Sequence, residues 1–221
     1  MGDIIKINKN KKTFDVHPLD GDFMIDTKTI LTDCDGVLLN WRDAFDAWMM
    51  REKNIFAGGD VNLYDQAVRY DLPPEEIFDY IKQFNSSANM GFLPPLYDSV
   101  KYVKKLHEEH GYKFTVITSL SLNQFAIKLR IQNLHNIFGE HVFDEIVCLD
   151  TGADKDEILK QYAEWNPGAF WLEDKVKNAI EGRKYGLRSY LMKHVHIKTE
   201  DRDGIPVMAN WKQLYEEITG S

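Results

Sequence analysis

Short runs of apolar and β-branched residues alternate along this chain with longer stretches whose apolar positions recur every three or four residues. The short runs at 29–32, 114–118, 145–149, 169–172 and 188–192 predict strands. The stretch carrying Val100, Val103, Leu106 and His107 predicts a helix that stops at Gly111. Residues 121–138 predict another, with its apolar stripe at 126, 129, 134, 137 and 138, residue 130 excepted, and its end at Gly139. Further helices are expected over 156–165, with acids in the first turn, and over 176–184 before Gly186. Asn210 and Gln213 form a capping-box-like start for a last helix built on Trp211, Leu214, Tyr215 and Ile218. Strands and helices in alternation imply an α/β fold, a Rossmann-like parallel sheet covered on both faces.

One interval does not fit a crossover of ordinary length. Residues 39–95 lie between the first two predicted strands and read as helices. Asn40 and Asp43 cap a stripe of Trp41, Phe45, Trp48 and Met49. Asn62 and Asp65 open a second segment, and Pro73-Pro74-Glu75-Glu76 starts a third with Ile77, Phe78, Ile81 and Phe84. Gly91, Pro94 and Pro95 mark the return. The expected organisation is therefore a core domain of 1–38 and 96–221 with a small helical cap of 39–95 inserted after the first motif strand. Residues 1–28 are harder to read; 19–22 suggests a turn within a small hairpin, and the basic stretch 9–12 a solvated turn or arm.

Composition narrows the setting. The chain has 221 residues, 43% hydrophobic and 28% charged, and holds no apolar run of membrane-spanning length. Cys34 and Cys148 sit in apolar runs and read as reduced thiols, and the N-terminal residues lack a signal-type apolar block, so a cytoplasmic protein is expected. The net charge of −8 repels nucleic acid polymers and anionic membranes. It also repels phosphorylated small molecules, so a phosphate site would need local positive charge from a metal, a lysine or backbone N–H groups.

The unusual polar residues fall at strand ends, where ligands of parallel sheets bind. Asp33 and Asp35 follow the first central strand, Thr118 and Ser119 the next, and Glu173 and Asp174 a third; Lys155 precedes a helix. Two acids so close resist joint ionisation unless a cation neutralises them, and Mg2+ with its preference for oxygen ligands suits such a pair. One carboxylate is then placed to attack phosphorus and the other to move a proton. Each signal has an ordinary alternative: a solvated turn for Asp33 and Asp35, a helix cap for Thr118 and Ser119, a solvated lysine for Lys155, an N-cap for Glu173 and Asp174. Their order on successive strand ends favours a shared site. His194 and His196 read as a solvated strand end rather than a metal pair.

These segments resemble the four motifs of the haloacid dehalogenase superfamily: 30–38 around Asp33 and Asp35, 115–119 ending in Thr118 and Ser119, 154–159 with Lys155, and 171–178 with Glu173 and Asp174. The resemblance implies that Asp33 is nucleophile and Mg2+ ligand, and that Asp35 is general acid/base with its backbone carbonyl on the metal. It further implies that Thr118, Ser119 and Lys155 hold the phosphoryl group, and that Asp174 is the second carboxylate ligand with Glu173 outside it. Asp35 disfavours the dehalogenase and transport-ATPase branches and suits a phosphoric monoester hydrolase acting through an aspartyl-phosphate on a small phosphorylated metabolite. The first motif, the return segment 90–94 and Thr118-Ser119 are similar to the deoxyribonucleotidase branch, with Trp41 and Phe45 as candidate substrate contacts. Leu120 stands where that branch leads one to expect proline. A sugar-phosphate phosphatase, a phosphomutase and a catalytically silent binding module are the alternatives.

Overall fold

The computed structural model describes residues 5–8, 28–60, 63–194, 197 and 202–221. The predicted turn at 19–22, the basic stretch 9–12, Asn62 and His196 lie outside these. Among the described residues seven strands form one sheet: β1 (Ile5–Asn8), β2 (Thr29–Thr32), β3 (Lys113–Ser119), β4 (Phe143–Leu149), β5 (Phe170–Glu173), β6 (Arg188–Met192) and β7 (Val207–Met208). Their order is β1-β4-β3-β2-β5-β6-β7. The six strands from β4 to β7 are parallel, and β1 adds an antiparallel edge against β4. Sequence reasoning missed β1, whose signal was the alternation of Ile5 and Ile7 with polar residues, and β7, which is too short to show a period. Ile30, Leu31, Val116 and Ile117 have no exposed surface, as expected of central parallel strands covered on both faces. Each such aliphatic side chain contributes about 1.5–3 kcal/mol by burial.

Between β2 and β3 the chain is helical. α1 (Trp41–Trp48) starts where Asn40 accepts the Asp43 N–H at 3.2 Å, and a π-helical turn extends it to Lys53. α2 (Gln66–Tyr70) is capped by Asp65, which accepts the Ala67 N–H at 2.8 Å. α3 (Pro74–Asn85) begins with proline at its first position, where the missing N–H is no loss. A short 3-10 turn, Ala88–Gly91, returns the chain. Trp41 stacks on Phe45 at 4.7 Å, and Trp48 and Phe84 complete an aromatic cluster around Phe45. Arg69 is buried and forks onto both carboxylate oxygens of Asp46 at 3.0 and 2.7 Å. The segment leaves and re-enters side by side: Asn40 N–H donates to Pro94 O and Leu96 N–H to Leu38 O, each at 2.8 Å.

The remaining helices pack against the sheet: α4 (Ser99–Glu108), α5 (Gln124–Phe138), α6 (Asp156–Trp165), α7 (Val176–Lys184) and α8 (Trp211–Thr219). α5 starts three residues later than the apolar pattern suggested, because Asn123 caps it by accepting the N–H groups of Phe125 and Ala126 at 3.0 and 3.2 Å. Asn210 caps α8 through the Gln213 N–H at 2.9 Å. Trp211 at its start is buried and donates Nε1–H to Val37 O at 2.8 Å, so the last helix braces the loop after β2. Among the described residues no helix is long and apolar enough to cross a membrane.

Candidate active site

β2 lies where the strand order reverses: β3 and β4 are on one side of it and β5 on the other. Loops leaving β2, β3 and β5 therefore separate, and a crevice opens at their carboxyl ends. Asp33 is the first residue past β2. Its N–H donates to Leu172 O at 2.8 Å, which continues the pairing with β5 by one residue. Its Oδ1 accepts the Cys34 N–H at 2.7 Å and faces Lys155 Nζ at 2.9 Å. The chain then turns sharply at Gly36, whose φ of +78° belongs to the left-handed region. A Cβ there would overlap the Asp174 carboxylate, so only glycine lets the loop approach it this closely.

The carboxylate oxygens of Asp33, Glu173 and Asp174 come within 4.8 Å of one another. Glu173 is fully buried, accepts from Asn178 Nδ2, and faces Lys155 Nζ at 3.4 Å through both oxygens. Burial, and after it the Asp33 charge, pushes Asp174 up to about 8 and Glu173 well above the usual carboxylate range. Lys155 is also buried. Burial works to lower its pKa, but Asp33 and then Glu173 overcome that and raise it, so the ammonium is kept. A dication there would favour the ionised forms that burial and mutual repulsion oppose. An all-oxygen donor set of three carboxyl groups fits Mg2+.

Each ordinary alternative fails in its local geometry. Lys155 is not a solvated lysine but 2% exposed. Glu173 and Asp174 do not cap α7, whose N-cap is Lys175. Thr118 does not cap α5; it is 1% exposed, and its Oγ1 has no hydrogen-bond partner among the described residues. A buried hydroxyl left without a partner is costly and marks a place where a ligand oxygen would fit. Ser119 differs from its neighbour: its hydroxyl donates to Ala153 O at 2.8 Å and ties the β3 end to the loop before α6.

Asp33, Asp35, Thr118, Ser119, Lys155, Glu173 and Asp174 all line one cavity of about 690 Å3, roofed by the helical segment. Trp41, Tyr64 and Phe78 face it from that roof. Burial of the Tyr64 phenol, and after it the Asp174 charge, push its pKa up. Phe45 is not at the cavity. It has no exposed surface and sits behind Trp41 as the centre of the aromatic cluster, because its position one helical turn on points into the packed interior. The Asp35 carboxylate stands outside the carboxylate group and pairs with Arg130 at 2.7 Å. Burial raises its pKa, with Arg130 opposing.

Solved structures with similar architecture were found. A haloacid dehalogenase-like family hydrolase from Streptococcus pneumoniae superposes with a TM-score of 0.62 at 12% identity, covering 86% of this chain and 98% of the other. CbbY from Rhodobacter sphaeroides, solved in complex with phosphate, gives 0.55 at 18% identity over 86% and 96%. D,D-heptose 1,7-bisphosphate phosphatase from B. bronchiseptica, complexed with magnesium and phosphate, gives 0.54 at 13% identity over 87% and 98%. The chain has the haloacid dehalogenase fold. No family model matches it. An uncharacterized 32.4 kDa protein in the Gp30-rIII intergenic region of Enterobacteria phage T4 is 26% identical over 149 residues, 62% of this chain and 50% of that protein. The chain thus spans about half the length of this curated relative.

Three residues around the crevice of this haloacid dehalogenase fold were not foreseen. Arg130 on α5 is fully buried behind Asp35; its one signal was a charge on an otherwise apolar helical stripe. Asn178 on α7 orients Glu173; it closes the 171–178 motif, which gave it no role. His194 lines the cavity and donates Nε2–H to Gly36 O at 2.7 Å, so it is engaged with the turn after β2 rather than solvated at a strand end.

Proposed function

We propose that this chain is a Mg2+-dependent phosphohydrolase, a phosphoric monoester hydrolase that forms an aspartyl-phosphate on Asp33. One arrangement carries the reading: Asp33, held by the Cys34 N–H and Lys155, at the mouth of a buried carboxylate group beside an unpartnered threonine hydroxyl. Asp33 and Asp174, with the Asp35 backbone carbonyl, would hold the metal, and Glu173 would fix their surroundings. Bound Mg2+ would supply charge neutralisation for the phosphoryl oxygens.

Thr118 Oγ1–H and Lys155 Nζ bind the phosphoryl oxygens and stabilise the charge that develops on them. Ser119 contributes by anchoring the adjoining loop through Ala153. An Asp33 carboxylate oxygen forms a bond to phosphorus while the ester P–O bond breaks and its electron pair stays on the leaving oxygen. Asp35 gives that oxygen its proton. Asp35 then takes a proton from water as the water oxygen attacks phosphorus. The Asp33–phosphorus bond breaks, inorganic phosphate leaves, and Asp33 returns as a carboxylate and Asp35 as the acid. Residues 39–95 act as a cap over residues 1–38 and 96–221, shielding this exchange from bulk water.

The aromatic roof argues for a planar substrate, and a nucleoside monophosphate, acted on as by a 5'-nucleotidase, is the class that best suits Trp41, Tyr64 and Phe78 together with a cavity of about 690 Å3. Hydrolysis of p-nitrophenyl phosphate with and without Mg2+, compared with Asp33→Asn, tests the chemistry; equal turnover by both proteins refutes it. A panel of deoxynucleoside monophosphates against sugar phosphates tests the class, and a preference for sugar phosphates refutes the nucleotide.

A further inference from the structure

An arginine in the middle of an apolar helical stripe calls for a reason. Arg130 has no exposed surface, and a guanidinium in such a place is destabilising unless it is paired. Its partners come from two segments. Nη1 donates to Asp35 Oδ1 at 2.7 Å and to Cys34 Sγ at 3.0 Å, and Nη2 lies 3.1 Å from Met90 Sδ in the 3-10 turn that returns the helical segment to the sheet. One turn further along α5, Asn133 Nδ2 donates to Leu93 O at 2.9 Å and holds that same return segment. α5 is thus a strut between the loop after β2 and the base of the roof, with Arg130 as its contact to both.

The pairing is one-sided for Asp35. Its carboxylate meets a fixed N–H donor at Oδ1, yet the side chain keeps 22% exposure and lines the cavity. A proton on Oδ1 would point at the guanidinium N–H, so the acidic form carries its proton on Oδ2. The guanidinium is itself held by Cys34 and Met90, so it presents its Nη1–H to Asp35 Oδ1 from a fixed direction, which a freely rotating lysine ammonium would not do.

We propose that Arg130 is a positioning residue for leaving-group protonation: by holding Asp35 Oδ1 from behind, it confines the transferable proton to Oδ2 and aims it into the crevice. The inference rests on the phosphohydrolase reading. During ester cleavage, the proton passes from Oδ2 to the leaving oxygen as the P–O bond breaks. Esters with acidic leaving groups need that proton little, whereas esters with basic leaving groups need it most.

The test is kcat/KM, which reports formation of the phosphoenzyme, for phenyl, p-nitrophenyl and 2,4-dinitrophenyl phosphate with Mg2+. The three rings are alike in shape and differ in leaving-group acidity. Arg130→Met is expected to lose on the order of 100-fold on phenyl phosphate and less than about 5-fold on the dinitrophenyl ester, with Arg130→Lys in between. An equal loss on all three esters, or none on phenyl phosphate, overturns the proposal and leaves an Asp33-dependent phosphohydrolase standing. Wild-type protein inactive on every ester, or activity undiminished in Asp33→Asn, overturns the phosphohydrolase reading and this inference together. Should Arg130→Met not fold, Arg130→Met/Asp35→Asn removes the unpaired carboxylate and is compared with Asp35→Asn alone. No further loss supports the proposal, and a further loss beyond about 10-fold overturns it.

Discussion

Lys155 Nζ stands 2.9 Å from Asp33 Oδ1, although one residue caps the start of α6 and the other is the first past β2. The pair is buried, and Glu173 also faces the lysine at 3.4 Å. Replacing Lys155 by Met leaves the carboxylates facing one another without a cation. The expected loss of stability is about 3–5 kcal/mol, with activity abolished. Because a divalent cation can take over part of that neutralisation, Mg2+ should raise the melting temperature of Lys155→Met more than that of the wild type. Thermal denaturation with and without Mg2+ measures this, and an equal Mg2+ shift in the two proteins would contradict it.

Thr118 offers the opposite combination. Its buried Oγ1 has no partner, so Thr118→Val replaces a costly hydroxyl by a methyl group of similar size. Stability should hold or rise slightly. If the hydroxyl donates to a phosphoryl oxygen, kcat/KM on p-nitrophenyl phosphate should fall on the order of 100-fold. A melting curve and a rate measured on the same sample decide the matter. Unchanged rate would remove Thr118 from the site.

Gly36 carries the turn that brings the loop against Asp174. Gly36→Ala strains a backbone at φ +78° and drives a methyl group into the Asp174 carboxylate. We expect a stability loss of more than about 1 kcal/mol and a higher Mg2+ concentration for half-maximal activity. Titrating activity against Mg2+ separates these effects, since backbone strain alone would leave the half-maximal concentration where it was.

His194 gives a pH dependence. Burial lowers its pKa below the ordinary value of 6.5, against the opposing hydrogen bond to Gly36 O. With the folded pKa depressed, the unfolded chain binds the proton more readily in that range. The contribution to stability is therefore complete above about 6.5 and is lost as pH falls through the folded value. Melting temperatures from pH 8 to 5 should decline less steeply in His194→Gln, which retains an N–H for Gly36 O and does not titrate there. Parallel profiles would show that His194 is not responsible.

Much of this architecture is legible in the chain. The strands at β2 to β6 and the helices α6 and α7 follow from period and capping residues, because a buried strand and an amphipathic helix each demand a pattern that few other structures satisfy. Asp33, Thr118 and Asp174 stand out for a related reason: polar residues ending apolar runs have to be accounted for, whereas Lys155, before a helix, gained weight only from its order among them. Phe45 shows the limit. It shares a helical stripe with Trp41, and period alone does not tell the residue at the rim of a cluster from the one at its centre.

Composition and order along the chain determined that a parallel sheet would form, that acids and a threonine would stand at its strand ends and that a lysine would precede a helix, since these depend on local period and on the cost of burying polar groups. Only the tertiary structure decided that Lys155 reaches Asp33, that Glu173 joins the carboxylate group, that Ser119 turns to Ala153, and that Arg130 grips Asp35. Those relations are pairings between residues distant in sequence. They arise from strand order and helix packing, which bring together side chains whose own surroundings in the chain carry no trace of the partner.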